Sequence, residues 1–462
     1  MTTAVISVKP QLSVIQITLI VALGGLLMGY DAATVATSQM YFTQYFDFTP
    51  AQQGWVISSA GYGCFLGAIS AGYLTTAYSR KYTLILSAVL YIISAVGSGI
   101  ADSLTVLVSY RIILGLSIGM IAMTSPMYIA EISPSNIRGK MVSYHQLAMV
   151  VGFILPFLVG FLISSVDSSH STRVSFGWRL MFWFEIVPAL PFLFLLFFIP
   201  HSPRWLMLKH RNQQAQKVLN QLIDDKGSAQ SEYKLIAQSL AEVRVPARKL
   251  LFRKGLGFAL FLGVMLAIFQ QATGIVAILI YSGEIFSQAL GYDPQQALIP
   301  QLWVSLVNLV FTFVAIYTVD SWGRKPLLVV GVLGMLLGLL ALALSVYMQQ
   351  MGLVSLIGVL LFVGAYAMSM GPVVWVILAE IFPNNVRSLA MSIAIGAQCL
   401  TSALVTNGFP ILHKSHLNAI NFNGALPYFL FASVCIITIL FVWKLVPETK
   451  GKTLEEMEQL WR

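Results

Sequence analysis

Ala130-Glu131-Ile132-Ser133-Pro134-Ser135-Asn136-Ile137-Arg138-Gly139 returns later in the chain as Ala379-Glu380-Ile381-Phe382-Pro383-Asn384-Asn385-Val386-Arg387-Ser388. Ser79-Arg80-Lys81 returns as Gly323-Arg324-Lys325, and Pro200-His201-Ser202-Pro203-Arg204 is loosely echoed by Pro447-Glu448-Thr449-Lys450-Gly451. The offsets of 249, 244 and 247 residues are nearly equal. Three echoes at one spacing mean two tandem halves of equal length. In an apolar chain that is the layout of a two-bundle membrane carrier.

Composition says which solvent the chain meets. Hydrophobic residues make up 57% and charged residues 10%, with a mean hydropathy of +0.80. A soluble domain carries roughly 25% charged residues. This chain has too few to cover itself in water, so most of its surface faces lipid and it is a polytopic membrane protein. A spanning helix needs ~20 apolar residues to cross a hydrocarbon core of ~30 Å. Such runs fall at 12–31, 54–76, 83–101, 104–126, 141–164 and 178–199, then at 255–282, 298–319, 326–348, 353–378, 388–411 and 425–446. Six plus six agrees with the repeat. The expected fold is an all-α membrane protein with twelve transmembrane helices in two pseudo-symmetric six-helix bundles. Its divisions are 1–199, a cytoplasmic helical linker 200–254, 255–446, and a cytoplasmic tail 447–462.

A net charge of +9 would suit a nucleic-acid binder if it were gathered on one face. Here Lys and Arg gather in alternate loops: Arg80 and Lys81, Arg138 and Lys140, the 201–254 stretch, Arg324 and Lys325, and the tail from Lys444. The other loops hold almost none, Arg173 and Lys414 excepted. This positive-inside bias puts both termini in the cytoplasm and argues against a nucleic-acid partner. Cys64, Cys399 and Cys435 all fall within spans, show no metal or redox spacing, and read as small apolar packing residues. The first apolar run is too long for a signal-peptide core and reads as a retained span. The chain has no Asn-x-Ser/Thr sequon and its first outer loop is short, which fits the plasma membrane of a bacterium.

Between the sixth and seventh spans, Gln213 to Leu222 and Glu232 to Val243 are polar with periodic Leu, Ile and Val, the pattern of short amphipathic cytoplasmic helices. Each copy of the main repeat also carries a Glu seven residues before an Arg, Glu131 to Arg138 and Glu380 to Arg387, across a helix-ending Pro. At the membrane edge such carboxylates can bridge to Arg80 and Arg324. A ring of ion pairs that breaks when two halves part is a bistable cytoplasmic gate; the plainer alternative is a set of topology-setting charges.

Gly24-Gly25-Leu26-Leu27-Met28-Gly29-Tyr30-Asp31, Tyr110-Arg111, Pro203-Arg204-Trp205-Leu206, Gln270-Gln271, Asp320 with Gly323-Arg324-Lys325, and Pro447-Glu448-Thr449-Lys450-Gly451 lie in this order along nearly the whole chain. Together they resemble the signature of the sugar porter family of the major facilitator superfamily, most closely its bacterial pentose and hexose proton symporters of the xylose type. The resemblance implies a central cavity and alternating access. One departure is Ser79, where the family has Gly; Gly permits a left-handed turn conformation that Ser resists.

A charge at mid-bilayer costs at least ~2.5–3.5 kcal/mol, so each one wants a partner or a task. Asp31 ends the first predicted span and Arg111 lies in the fourth. If they pair, the carboxylate stays ionised while the Arg is near, and separating them couples a proton to helix movement. A permanent structural ion pair is the alternative. The family resemblance favours coupling, since proton-coupled members have Asp at the position of Asp31, and Glu185 looks like a third member of the same network. His145 lies near the cytoplasmic end of its span, where a hydrogen-bonded or solvated His is the ordinary outcome, and takes no part.

Adjacent Gln270 and Gln271 in an apolar span are costly unless the amides find partners. The resemblance implies that this pair reaches the sugar, joined by Gln146, Gln398, and Trp375 after the helix-breaking Gly371-Pro372. For each Gln an interhelical bond is the alternative. Against the family pattern, an Asn is replaced by Val276, a Tyr by Ile280 with Tyr281 remaining, a Gln by Phe153, and two aromatics by Met28 and Cys399. A missing donor leaves a hydroxyl unpaired at a cost of ~1–3 kcal/mol. The cavity is therefore expected to be more apolar than that of a glucose or xylose carrier, suiting a polyol, an inositol, a deoxy-sugar or a less hydroxylated acid.

The expected function is proton-coupled uptake of a sugar or sugar-like polyol by a monomer in the bilayer. A proton-independent facilitator and a transporter-like solute sensor are the alternatives. An enzyme is not expected: there is no nucleophile with its base, no phosphate-binding Gly loop and no cofactor motif, and the six His residues show no metal-ligand spacing.

Overall fold

The computed structural model describes residues 12–134, 137–166, 172–223, 226–241, 254–290, 298–350, 352–382 and 386–450. The first half contains α1 (Val14–Phe46), α2 (Pro50–Ala77), α3 (Arg80–Ile100), α4 (Leu104–Ile132) and α5 (Arg138–Val166). Its sixth crossing is assembled from a π-helical turn (Arg173–Gly177), α6 (Trp178–Phe184) and α7 (Ile186–Leu196). Three short helices follow, α8 (Pro203–Leu208), α9 (Asn212–Leu222) and α10 (Lys226–Ala241). The second half contains α11 (Lys254–Ala272), α12 (Ile275–Leu290), α13 (Leu298–Trp322), α14 (Arg324–Tyr347), α15 (Leu353–Met368), α16 (Met370–Ile381), α17 (Arg387–His413), α18 (His416–Phe422) and α19 (Leu426–Leu445). Among the described residues there is no strand.

The two halves pack by the same rules. α2 lies on α4 as α13 lies on α15, α1 on α5 as α11 on α17, and α3 on α4 as α14 on α15. Between the halves, α2 meets α17 and α5 meets α13, again an equivalent pair. The sequence repeat is thus a structural repeat, as a two-bundle fold requires.

Eleven spans among the described residues are long and apolar enough to cross a membrane. The twelfth crossing, α2, is 28 residues long but rich in Gly, Ser, Thr and Gln, which corrects its reading as a plain apolar run. Its neighbours explain the composition, because α2 is gripped on two sides. Gly63 and Gly67 lie against the backbone of Ile112 and Leu116 on α4. A Cβ on Gly61 would meet Ala403 at 2.7 Å, and one on Gly72 would meet Ser392 Oγ at 2.6 Å, both on α17. Small residues let helices approach closely where lipid supplies no hydrophobic drive between them.

Other boundaries also shift. α1 starts in a capping box of Ser13 with Gln16 and runs unbroken to Phe46, so Asp31 sits in mid-helix instead of ending the first span. The seventh crossing breaks at Gly274, whose φ of +87° favours glycine; a Cβ there would strike the Phe431 ring of α19. The tenth breaks at Ser369, between α15 and α16. The linker helices α8–α10 bury their own small core of Trp205, Leu206, Met207, Ala215, Leu219, Ala229 and Ile236. Trp205 Nε1 donates to the Thr76 carbonyl at 3.1 Å and ties that core to α2. Val243, the expected end of the last linker helix, and the tail beyond residue 450 lie outside the described residues.

Candidate functional site

A cavity of about 240 Å³ lies between the halves. Drug-sized sites are typically ~300–1,000 Å³, so this one suits a small solute. Each wall is one face of a helix, read at spacings of three and four residues. α1 presents Met28, Asp31, Ala32 and Val35; α5 presents Gln146, Met149, Val150 and Phe153; α17 presents Gln398, Cys399, Ser402, Ala403 and Thr406. The broken seventh crossing contributes Gln270 and Gln271 before the break and Ile275, Val276, Leu279 and Ile280 after it. Arg111, Asn308, Tyr366 and Trp375 complete the main surfaces.

The broken tenth crossing leaves backbone carbonyls for side chains to use, as irregular backbone does where it lines a cavity. Gln270 Nε2 donates to the carbonyls of Met370 (2.7 Å) and Gly371 (3.1 Å), and Gln270 Oε1 accepts from Gln398 Nε2. The amide oxygens of Gln271, Gln398 and Asn308 are buried and accept no hydrogen bond among the described residues. Buried polar atoms are ordinarily satisfied, so three acceptors lining one cavity form a place for hydroxyl donors.

At another wall, Arg111 donates to Asp31, with only 3% and 7% of the two side chains exposed. The Arg111 guanidinium also lies 5.9 Å from the centre of the Phe182 ring. Glu185, at the junction of α6 and α7, is fully buried beside Asp31, Arg111, Thr34 and Tyr91. Among the described residues neither of its oxygens makes a hydrogen bond of ordinary geometry.

At the cytoplasmic ends each half carries a buried ion pair. Arg80 binds Glu131 at 2.8 and 3.0 Å, and Arg324 binds Glu380 at 3.0 Å. Arg138 and Arg387 brace the repeat itself, donating to the carbonyls of Ala130 and Phe382. Arg80 and Arg324 are thus the partners of the duplicated carboxylates, as the sequence suggests. Contacts that cross from half to half include the charge of Arg138 acting on Glu380, and Ser388, which donates to the Gly72 carbonyl and lies 3.1 Å from the Thr76 hydroxyl.

Most residues expected at the site therefore lie on one cavity: Gln146, Phe153, Gln270, Gln271, Val276, Trp375 and Gln398, with Asp31 and Arg111. Tyr281 does not. It turns away to stack on Phe409 at 5.0 Å, its hydroxyl toward the Thr406 carbonyl. Asn308 escaped notice, although a lone amide in an apolar span is the signal that singled out Gln270 and Gln271. His145 is neither solvated nor hydrogen-bonded: it is 1% exposed, both ring nitrogens lack a hydrogen-bond partner among the described residues, and its ring lies 5.9 Å from that of Trp375. Cys64 and Cys399 are not mere packing residues, since they form a disulfide joining α2 to α17 at the cavity wall.

The family model described as sugar (and other) transporter matches residues 17–461. The chain is 39% identical over 474 residues to the D-xylose-proton symporter of Escherichia coli (strain K12), covering 97% of this chain and 96% of that protein. The fold is similar to that of a proton:xylose symporter of the major facilitator superfamily bound to 6-bromo-6-deoxy-D-glucose, with 38% identity, a TM-score of 0.88, and 96% and 98% of the two chains covered. Against an inward-open conformation of the xylose transporter from E. coli the TM-score is 0.78, at 37% identity over 97% and 100% of the chains.

Proposed function

Since the chain belongs to the sugar (and other) transporter family, we propose that it carries a sugar or sugar-like polyol into the cell together with a proton, by alternating access. It is a carrier and not an enzyme. The observation that supports coupling is the buried Asp31–Arg111 pair on the wall of the cavity that also holds the amides. While Asp31 is ionised it holds Arg111, and α4 is tied to α1. A proton on Asp31 removes that charge and releases the permanently charged guanidinium, with Glu185 beside it. The tie between α1 and α4 is then lost, and the helices that line the substrate cavity can repack. Met28 and Asp31 share one face of α1, so solute and proton act on the same helix.

Solute hydroxyls donate to the free oxygens of Gln271, Gln398 and Asn308, Gln146 adds a further amide, and Trp375 supplies an apolar face. Val276 and Phe153 set which hydroxyls go unmet. The bodies that rock are 1–199 and 255–446, joined by the linker 200–254 and followed by the tail 447–462. The protein works as a monomer in a bacterial plasma membrane with both termini in the cytoplasm. Arg80, Glu131, Arg138, Arg324, Glu380 and Arg387 hold its cytoplasmic side closed, and the lower TM-score against an inward-open relative supports a closed cytoplasmic side in this structure.

Asp31→Asn tests the coupling. In proteoliposomes with an imposed proton gradient it should abolish accumulation of substrate while substrate exchange persists. An Asp31→Asn carrier that still concentrates its substrate removes Asp31 from the coupling step.

A further inference from the structure

The amides and the Phe153 cluster stand at different levels of the cavity. On α5, Gln146 and Phe153 share one face seven residues apart, a rise of ~10 Å at ~1.5 Å per residue. Near Gln146 lie the amides: Gln270 is bonded to Gln398 and to the corner of the broken tenth crossing, and Gln146 Nε2 adjoins that same corner at Gly371. Phe153 itself packs among apolar side chains. Phe153 packs on Phe157 at 5.6 Å, and the two form a cluster with Ala33 against which Ala32 and Leu279 close. Val276, one turn before Leu279 on α12, extends the apolar surface.

We propose that the preferred substrate carries an apolar edge, a deoxy carbon (CH3 or CH2) where the parent sugar bears a hydroxyl or hydroxymethyl group. It binds with its hydroxylated edge on the amides and its deoxy edge against Phe153, Val276 and Leu279. This inference rests on the reading of the chain as a sugar carrier and specifies its substrate class. A hydroxyl turned onto the faces of Phe153 and Leu279 is stripped of water without gaining a partner from them, which weakens binding by roughly five- to a hundredfold. A methyl group in the same place is favoured by about fourfold through burial.

The test uses matched pairs on the purified full-length protein: 6-deoxy-D-glucose against D-glucose, L-fucose against L-galactose, and L-rhamnose against L-mannose, with myo-inositol alongside. Titration calorimetry gives a Kd for each. The deoxy member should bind at least about fivefold more tightly in one pair or more. Phe153→Gln should shrink or reverse that ratio, whereas Phe153→Leu should keep it. Equal binding within every pair, or tighter binding of the hydroxylated members or of myo-inositol, overturns the deoxy-edge proposal and leaves the sugar carrier standing. If no sugar and no polyol binds the wild-type protein, the sugar reading falls and the proposal falls with it.

Discussion

The turn before α3 and the turn before α14 are two copies of one device built with different parts. Both place the first residue of their Arg-Lys motif at positive φ, Ser79 at +111° and Gly323 at +97°. Both send the following Arg back to the preceding helix, Arg80 to the Thr75 carbonyl and Arg324 to the Val319 carbonyl, and on to a buried Glu. Both Glu residues also accept from a hydroxyl of the next motif, Ser202 in one half and Thr449 in the other. The caps differ. Ser79 caps its own helix through Oγ, backed by His201 at 3.1 Å. At Gly323 the cap comes from Glu448, whose two oxygens accept the N–H groups of Arg324 and Lys325 at 3.0 Å. A Cβ on Gly323 would lie 2.7 Å from that carboxylate. Glycine is needed where the acid arrives from outside. Where a His stands in place of the acid, serine brings its own cap and tolerates the turn.

The comparison can be broken at three depths. The buried ion pairs should matter most, because removing one partner of such a pair costs ~3–5 kcal/mol. Glu131→Gln and Glu380→Gln should both open the cytoplasmic side, read as faster labelling of a reporter cysteine at Ser392, which lies under Gly72 in the closed seam. Glu380 also feels the charge of Arg138 across the seam and should give the larger change. Unchanged labelling in both variants would remove these pairs from the gate.

An exchange of caps comes next. Gly323→Ser should lower the thermal midpoint of the purified protein by a few degrees, since positive-φ strain alone costs ~1–3 kcal/mol. Adding Glu448→His, which copies the arrangement of the first half, should recover part of the loss. If Gly323→Ser is silent, the glycine is not required by Glu448.

Acidity gives the smallest effect. Burial, then the charges of Lys81 and Arg211, hold His201 below the ordinary histidine pKa. Burial alone would raise the Glu448 carboxyl, but the N–H groups of Arg324, Lys450 and Lys325 outweigh it and hold it below the carboxylate range. A depressed pKa adds stability above the unfolded-state value and loses it as pH falls toward the folded one. The His201 contribution should fade below about pH 6.5 and that of Glu448 below about pH 4.3. Thermal midpoints measured from pH 7 to 4 should lose their upper slope in His201→Gln and their lower slope in Glu448→Gln. Two identical profiles would mean that neither turn responds to acid.

What was legible in the sequence followed from local rules. The repeat and the apolar runs define bundles, and amides in apolar runs point to a cavity, because both depend on solvent and on one helix at a time. What stayed hidden depended on partners far along the chain. α2 looked like an ordinary span, and only α4 and α17 on its two sides explain its glycines. Cys64 and Cys399 are 335 residues apart and show no spacing to read. Tyr281 sits one position beyond the lining residue Ile280, and one step of ~100° around a helix carries it out of the cavity. The duplicated Glu and Arg residues revealed that pairs exist, while which half each pair belongs to needed the fold.

The seam between α2 and α17 carries a further consequence. Where Gly61 meets Ala403, neither residue has rotamers to freeze or release. At that contact side-chain ordering neither favours nor opposes the seam. It is held by close dispersion packing and, one turn away, by the Cys64–Cys399 disulfide.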